Sequence, residues 1–122
     1  MKNYKLMILV LVVLVLIFVF WRGDKAEAEK LDEFAQCLSD KGLIMYSAEW
    51  CSHCQNEKRA FGDSFKFITY IECPVEVQKC LTAGIEAYPT WIGSDGRKLI
   101  GEQGIEKLSE ESGCEIKLKV EN

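Results

Sequence analysis

Apolar positions run unbroken from Leu6 to Trp21, sixteen residues without a charge, a glycine or a proline. As a helix this run is about 24 Å long at ~1.5 Å per residue, slightly short for a spanning segment of ~17–25 residues. Lys5 and Arg22 can make up the difference, because long basic side chains reach back towards lipid headgroups. Tyr4 and Trp21 stand where interfacial aromatic belts stand. Residues 6–21 are therefore expected to lie in membrane lipid. A cleaved signal peptide is the rival reading, with Ala26-Glu27-Ala28 as a small-x-small site. The run exceeds the usual ~7–15-residue apolar region, and Trp21-Arg22-Gly23-Asp24-Lys25 is a poor approach to a protease site, so an uncleaved anchor over 1–23 is favoured.

After the anchor the pattern changes to short alternating segments over 24–122, the expected globular domain. Asp24-x-x-Glu27 matches a capping box and predicts a helix start. Leu31, Phe34, Ala35 and Leu38 then fall on one helical face, and Gly42 ends that helix. Leu43 to Ala48 reads as a buried strand. A second helix follows Trp50 and carries Cys51, Cys54, Lys58, Phe61 and Phe65, with a bend or weak point at Gly62. Phe67 to Ile71 is rich in β-formers. Val75 to Ala83 reads as a short helix ending at Gly84. Pro89 to Ile92 begins a strand, Ser94-Asp95-Gly96-Arg97 is a hairpin turn, and Lys98 to Ile100 returns. Gly104 to Gly113 closes the fold as a helix, with Ile105 and Leu108 inward, and Glu115 to Val120 alternates in a tail. Strands separated by helices and closed by a hairpin predict an α/β fold, a mixed sheet covered by helices.

Charge sharpens this picture. All 19 acidic residues follow Arg22, against 12 of the 15 basic ones, so the part after the anchor carries −7. A domain this acidic, without a basic run, is not expected to bind nucleic acid. Six cysteines are many for so small a domain. Behind a membrane signal they permit disulfides as well as redox chemistry. The basic residues on the two sides of the span do not fix orientation. The cysteine content places the N-terminus in the cytoplasm and the domain outside it, whether periplasmic, extracellular or lumenal.

The chemistry concentrates in Glu49-Trp50-Cys51-Ser52-His53-Cys54, after a predicted strand and at the opening of a helix. A thiol there faces unpaired N–H groups and the positive end of the helix dipole, which stabilise a thiolate, the attacking species in disulfide exchange. Cys54 lies one turn on, placed to resolve a mixed disulfide. His53, the chain's one histidine, can stabilise the Cys51 thiolate further. A purely structural Cys51–Cys54 bridge would close too small a loop to cross-link distant chain. A four-thiolate zinc site with Cys73 and Cys80 suits the first spacing but not the second. Covalent haem needs histidine after the second cysteine, where Gln55 stands.

Tyr88-Pro89-Thr90 opens a strand behind an apolar helix and Gly84, the place of the cis-proline loop in thioredoxin folds; a cis X–Pro bond is usually functional. From about Leu31 to Cys114 the chain resembles the thioredoxin superfamily. It is most similar to the thioredoxin-like domain fused to, or found beside, vitamin K epoxide reductase homologues of bacteria, archaea and plants. The resemblance rests on Phe34-Ala35-Gln36-Cys37-Leu38, Met45-Tyr46, Trp50-Cys51-Ser52-His53-Cys54-Gln55, Phe61-Gly62, Tyr70-Ile71-Glu72-Cys73, Ala83-Gly84-Ile85, Tyr88-Pro89-Thr90-Trp91 and Leu108 to Cys114. It implies a thioredoxin-like fold and a thiol–disulfide oxidoreductase acting on protein thiols and disulfides. Electrons would be exchanged with a quinone-linked membrane partner of the vitamin K epoxide reductase family. Cys51 would attack, Cys54 would resolve, and Pro89 would face them as the cis-proline. Trp50, Tyr88 and Thr90 would line the substrate side, where backbone beside the proline can pair with an extended peptide. No cofactor and no resident metal are expected.

The resemblance also suggests a Cys73–Cys80 disulfide, with an electron relay as its functional alternative, and leaves room for a Cys37–Cys114 bridge or two buried free thiols. One departure concerns the interior. Cytoplasmic thioredoxins keep a buried acid six residues before the first active-site cysteine; here that residue is Met45. With no buried acid at that position to take the Cys54 proton, and Ser52-His53 between the cysteines, the pattern favours an oxidase or isomerase over a strong reductase. Delivery of copper or zinc by the Cys51 and Cys54 thiolates is the competing function.

Overall fold

The computed structural model describes residues 2–116. The chain begins with one uninterrupted helix, α1 (Lys2–Asp40). Its stretch Asn3–Gly23 is long and apolar enough to cross a membrane, and none of it is buried against the described residues. The helix start expected at Asp24 does not occur. Lys25 to Leu31 are mostly strong helix formers with no proline, so nothing there halts propagation from the apolar segment, and Gly23 alone costs only ~1 kcal/mol.

The last turns of α1 bury Phe34, Ala35 and Leu38. Gly42 donates to Ser39 C=O at 2.9 Å and Leu43 to Leu38 C=O at 3.0 Å, which turns the chain into β1 (Ile44–Ser47). Then come α2 (Ser52–Phe61), a 3-10 segment (Gly62–Phe67), β2 (Tyr70–Glu72), α3 (Val77–Ala83), β3 (Thr90–Ile92), β4 (Lys98–Ile100) and α4 (Gly104–Ser112). Gly62 stops α2 outright rather than bending it. It takes φ +53°, a region that disfavours residues with a Cβ, and its N–H caps Arg59 C=O. Phe67 consequently belongs to the 3-10 segment, and β2 starts three residues later than its β-rich sequence suggests.

The sheet order is β2-β1-β3-β4. β1 and β2 are parallel, with Tyr46 opposite Ile71. β3 is antiparallel to both neighbours, with Met45 opposite Trp91 and Trp91 opposite Leu99. Strand alternation assigns the faces. Met45 and Trp91 point into the larger core with Phe34, Leu38, Cys54, Phe61 and Leu108, so α1, α2 and α4 share that face. Tyr46 points the other way, into a smaller cluster with Cys73 and Cys80 beneath α3. The larger core is mainly aromatic: Phe61 stacks on Phe34 at 6.0 Å between centroids and meets Trp91 at 6.2 Å. Phe61→Ala would cost about 3–5 kcal/mol. This is the α/β, thioredoxin-like arrangement, a mixed sheet flanked by helices. The tail expected over Glu115 to Val120 lies outside the described residues from 117 onward.

Candidate active site

β1 ends against β2, where Cys73 N–H donates to Ser47 C=O at 2.8 Å, and the chain then turns into α2. Cys51 is the N-cap of α2, in extended conformation. Its Sγ fills the acceptor role that a serine or aspartate oxygen usually takes there: Cys54 N–H donates to it at 3.2 Å. Negative charge forming on Cys51 Sγ is thus met by a backbone N–H and by the helix dipole.

Both thiols are free. Cys54 Sγ lies 2.6 Å from Cys51 Sγ and donates to it. Cys51 retains 8% of its surface and Cys54 none, so an incoming sulfur meets Cys51 first. Burial pushes the Cys54 thiol up to about 11, and its hydrogen bond to Cys51 adds to the rise. At neutral pH Cys54 therefore holds its proton until it is engaged.

The Tyr88–Pro89 peptide bond is cis. Tyr88 packs edge-on against Trp50 with 5.7 Å between ring centroids, so the residue before Cys51 touches the residue before Pro89. Pro89 itself is fully buried. Trp50 is 74% exposed and forms an apolar shoulder beside the cysteines rather than part of the core. Thr90 is buried, and its hydroxyl donates to Ala87 C=O at 2.8 Å. His53 is exposed on the first turn of α2, where its Nδ1 meets Glu102 Oε2 at 2.9 Å. Glu49 is exposed.

The remaining cysteines form two disulfides, Cys37–Cys114 and Cys73–Cys80. Cys73 and Cys80 are bonded to each other, which removes them as third and fourth thiolates of the zinc alternative.

Two residues near the site escaped the sequence reading. Glu57, on α2 one turn beyond Cys54, is wholly buried. Position 45 is the buried Met45, and the buried acid of this domain stands on α2 instead. Its carboxylate accepts from Gln103 N–H at 2.9 Å and Gly104 N–H at 3.2 Å, at the start of α4. Burial raises its pKa above the usual carboxylate value, opposed by those two hydrogen bonds. The spacing Cys54, Glu57, Phe61 on one helical face was the available signal. Glu102 is the other; its contact with His53 spans 49 residues, and no local pattern announces it.

A free thiol pair at a helix tip, on a thioredoxin-like sheet, is an arrangement chemically able to exchange thiols and disulfides. No protein-family model matches the chain. Over 91 residues it is 39% identical to thiol-disulfide oxidoreductase LTO1 of Arabidopsis thaliana, a match covering 67% of this chain and 24% of that protein. The chain thus spans about a quarter of the length of that relative. The likeness supports a thioredoxin-like oxidoreductase, a redox enzyme.

Proposed function

We propose that the protein is a membrane-anchored oxidase of protein dithiols, working outside the cytoplasm. Residues 1–23 serve as the anchor, with the N-terminus cytoplasmic, and 24–122 as the redox domain. The observation that carries the reading is the asymmetry of the sulfur pair. Cys51 is the reachable sulfur, capped by a backbone N–H, and Cys54 is buried with its thiol held up to about 11.

Starting from the Cys51–Cys54 disulfide, a substrate thiolate attacks Cys51 Sγ. The Cys51–Cys54 bond breaks, and Cys54 leaves with the electron pair and takes up a proton. The substrate's second thiolate then attacks its own sulfur in the mixed disulfide, and Cys51 leaves as a thiolate. The substrate has lost two electrons, and the protein holds them as a dithiol. A disulfide on a membrane-embedded, quinone-linked partner of the vitamin K epoxide reductase family takes them back. Trp50 and Tyr88 support the substrate, and Pro89 borders the sulfur pair. The two disulfides elsewhere in the domain favour an oxidising compartment.

Trapping in native membranes with Cys54→Ser tests this. Cys51 should accumulate in mixed disulfides with secreted proteins and with one membrane-embedded partner. Absence of such adducts, or a potential near that of thioredoxin, about −270 mV, overturns the reading.

A further inference from the structure

We infer that Glu102 is a positioning residue of the redox site, holding the His53 ring at the tip of α2 from the loop between β4 and α4. The inference rests on the oxidoreductase reading above. It starts from the way this loop is tied down. Gly101 N–H donates to Pro89 C=O at 2.8 Å, which joins the loop to the proline segment. Gln103 and Gly104 donate to the buried Glu57 carboxylate, which joins the same loop to α2. Glu102 lies between these ties and is exposed. Its Oε2 meets His53 Nδ1 at 2.9 Å and accepts from Asn56 Nδ2 at 3.3 Å. His53 and Asn56 are one turn apart on α2, so one carboxylate oxygen bridges two positions just beyond Cys51. With Tyr88, Gly101, Gln103 and Gly104, His53 and Glu102 line a cleft of about 510 Å³.

A carboxylate at Nδ1 keeps a proton on that nitrogen and leaves Nε2 for solvent or substrate. The ring, and with it a hydrogen-bond donor, is thereby held two residues from the sulfur that must leave as a thiolate. The charged and titratable neighbours are few. Asn56 Oδ1 accepts from Arg59, whose charge acts on Glu102. Glu57 lies behind the loop, and the charge of Glu102 adds to the rise of its carboxyl. The Glu102 carboxyl is held below the usual carboxylate range, chiefly by its hydrogen bond to His53. An ordinary surface ion pair would be silent in the redox chemistry, which makes the two roles separable.

The test uses the full-length protein in detergent. Glu102→Gln, Glu102→Asp, His53→Ala and the Glu102→Gln/His53→Ala double variant are compared with the parent. The readouts are the pH profile of Cys51 alkylation by iodoacetamide, the equilibrium with a glutathione redox buffer, and thermal melting. Glu102→Gln should slow alkylation at neutral pH by roughly two- to fivefold, the range of an exposed ion pair. It should shift the glutathione equilibrium towards the disulfide by the same factor. Glu102→Asp should recover most of both effects, and Glu102→Gln should change nothing further in the His53→Ala background. An unchanged profile and equilibrium in Glu102→Gln, or an equal change with and without His53, overturns the inference. Failure of the oxidoreductase reading would show itself separately, as a parent protein whose Cys51 neither alkylates nor equilibrates with glutathione.

Discussion

The two disulfides differ in the length of chain they close, and this sets an order of stabilities. Cys37 and Cys114 are 77 residues apart and Cys73 and Cys80 are 7 apart. A cross-link removes loop-closure entropy from the unfolded chain as about 2.1 + 1.5R ln n cal/mol/K. That gives ~4.5 kcal/mol at 25 °C for the long loop and ~2.4 kcal/mol for the short one. Loss of sulfur packing affects both pairs, since Cys114, Cys73 and Cys80 are all buried, and so largely cancels in the comparison. Replacing Cys37 and Cys114 by alanine should therefore cost ~2 kcal/mol more than replacing Cys73 and Cys80. Guanidinium unfolding of the oxidised full chain in detergent, followed by tryptophan fluorescence, measures this. Trp91 lies in the main core and reports on its opening. Reductant added to the parent should abolish the difference between parent and variants. A short-loop variant that loses as much stability as the long-loop variant, or more, refutes the argument. A short-loop variant of normal stability with lost exchange activity would identify Cys73–Cys80 as a relay.

Two further outcomes follow from the buried groups. Cys54 is raised in the folded state from 9.0 to about 11, so the folded protein keeps a proton that the unfolded chain releases. The stability of the reduced protein should hold below pH 9, then fall as pH rises towards 11. The oxidised protein and Cys54→Ser should lack that decline, and parallel pH–stability curves for the reduced parent and Cys54→Ser would contradict the assignment. Glu57→Ala strands the Gln103 and Gly104 N–H groups and should destabilise by about 2–3 kcal/mol. Because burial raises the Glu57 carboxyl, the protonated form is favoured on folding, so its contribution should weaken as pH rises above the carboxylate range. Denaturant midpoints for parent and variant at pH 5 and pH 7.5 check both statements.

Much of this arrangement is legible in the sequence because local rules and packing agree. Met45 and Tyr46 alternate between the two cores as a strand period demands. Gly84 and Gly113 end their helices in left-handed conformations that residues with a Cβ resist. The sulfur pair is legible because only a few chemistries use two cysteines at a helix start. The capping-box match at Asp24 misleads, since the same residues are tolerated inside a helix and nothing in that stretch terminates one. The buried acid was missed because a carboxylate on a helix is ordinarily a solvated charge. Here two unpaired N–H groups, 46 and 47 residues away, receive it. The partnership of Glu102 with His53 likewise exists only once the β4–α4 loop is folded back on the proline segment.

The turn after α1 decides from which side the chain arrives. Ser39 Oγ donates to Phe67 C=O and accepts from Thr69 N–H, next to the edge where β1 and β2 begin. Cys51 follows the opposite edge, where those strands stop. Five residues back along α1, Phe34 stacks on Phe61, the last residue of α2 and the one farthest along that helix from Cys51. A pull on the long helix is therefore passed to the strand starts and to the far end of α2 before it reaches the sulfur pair.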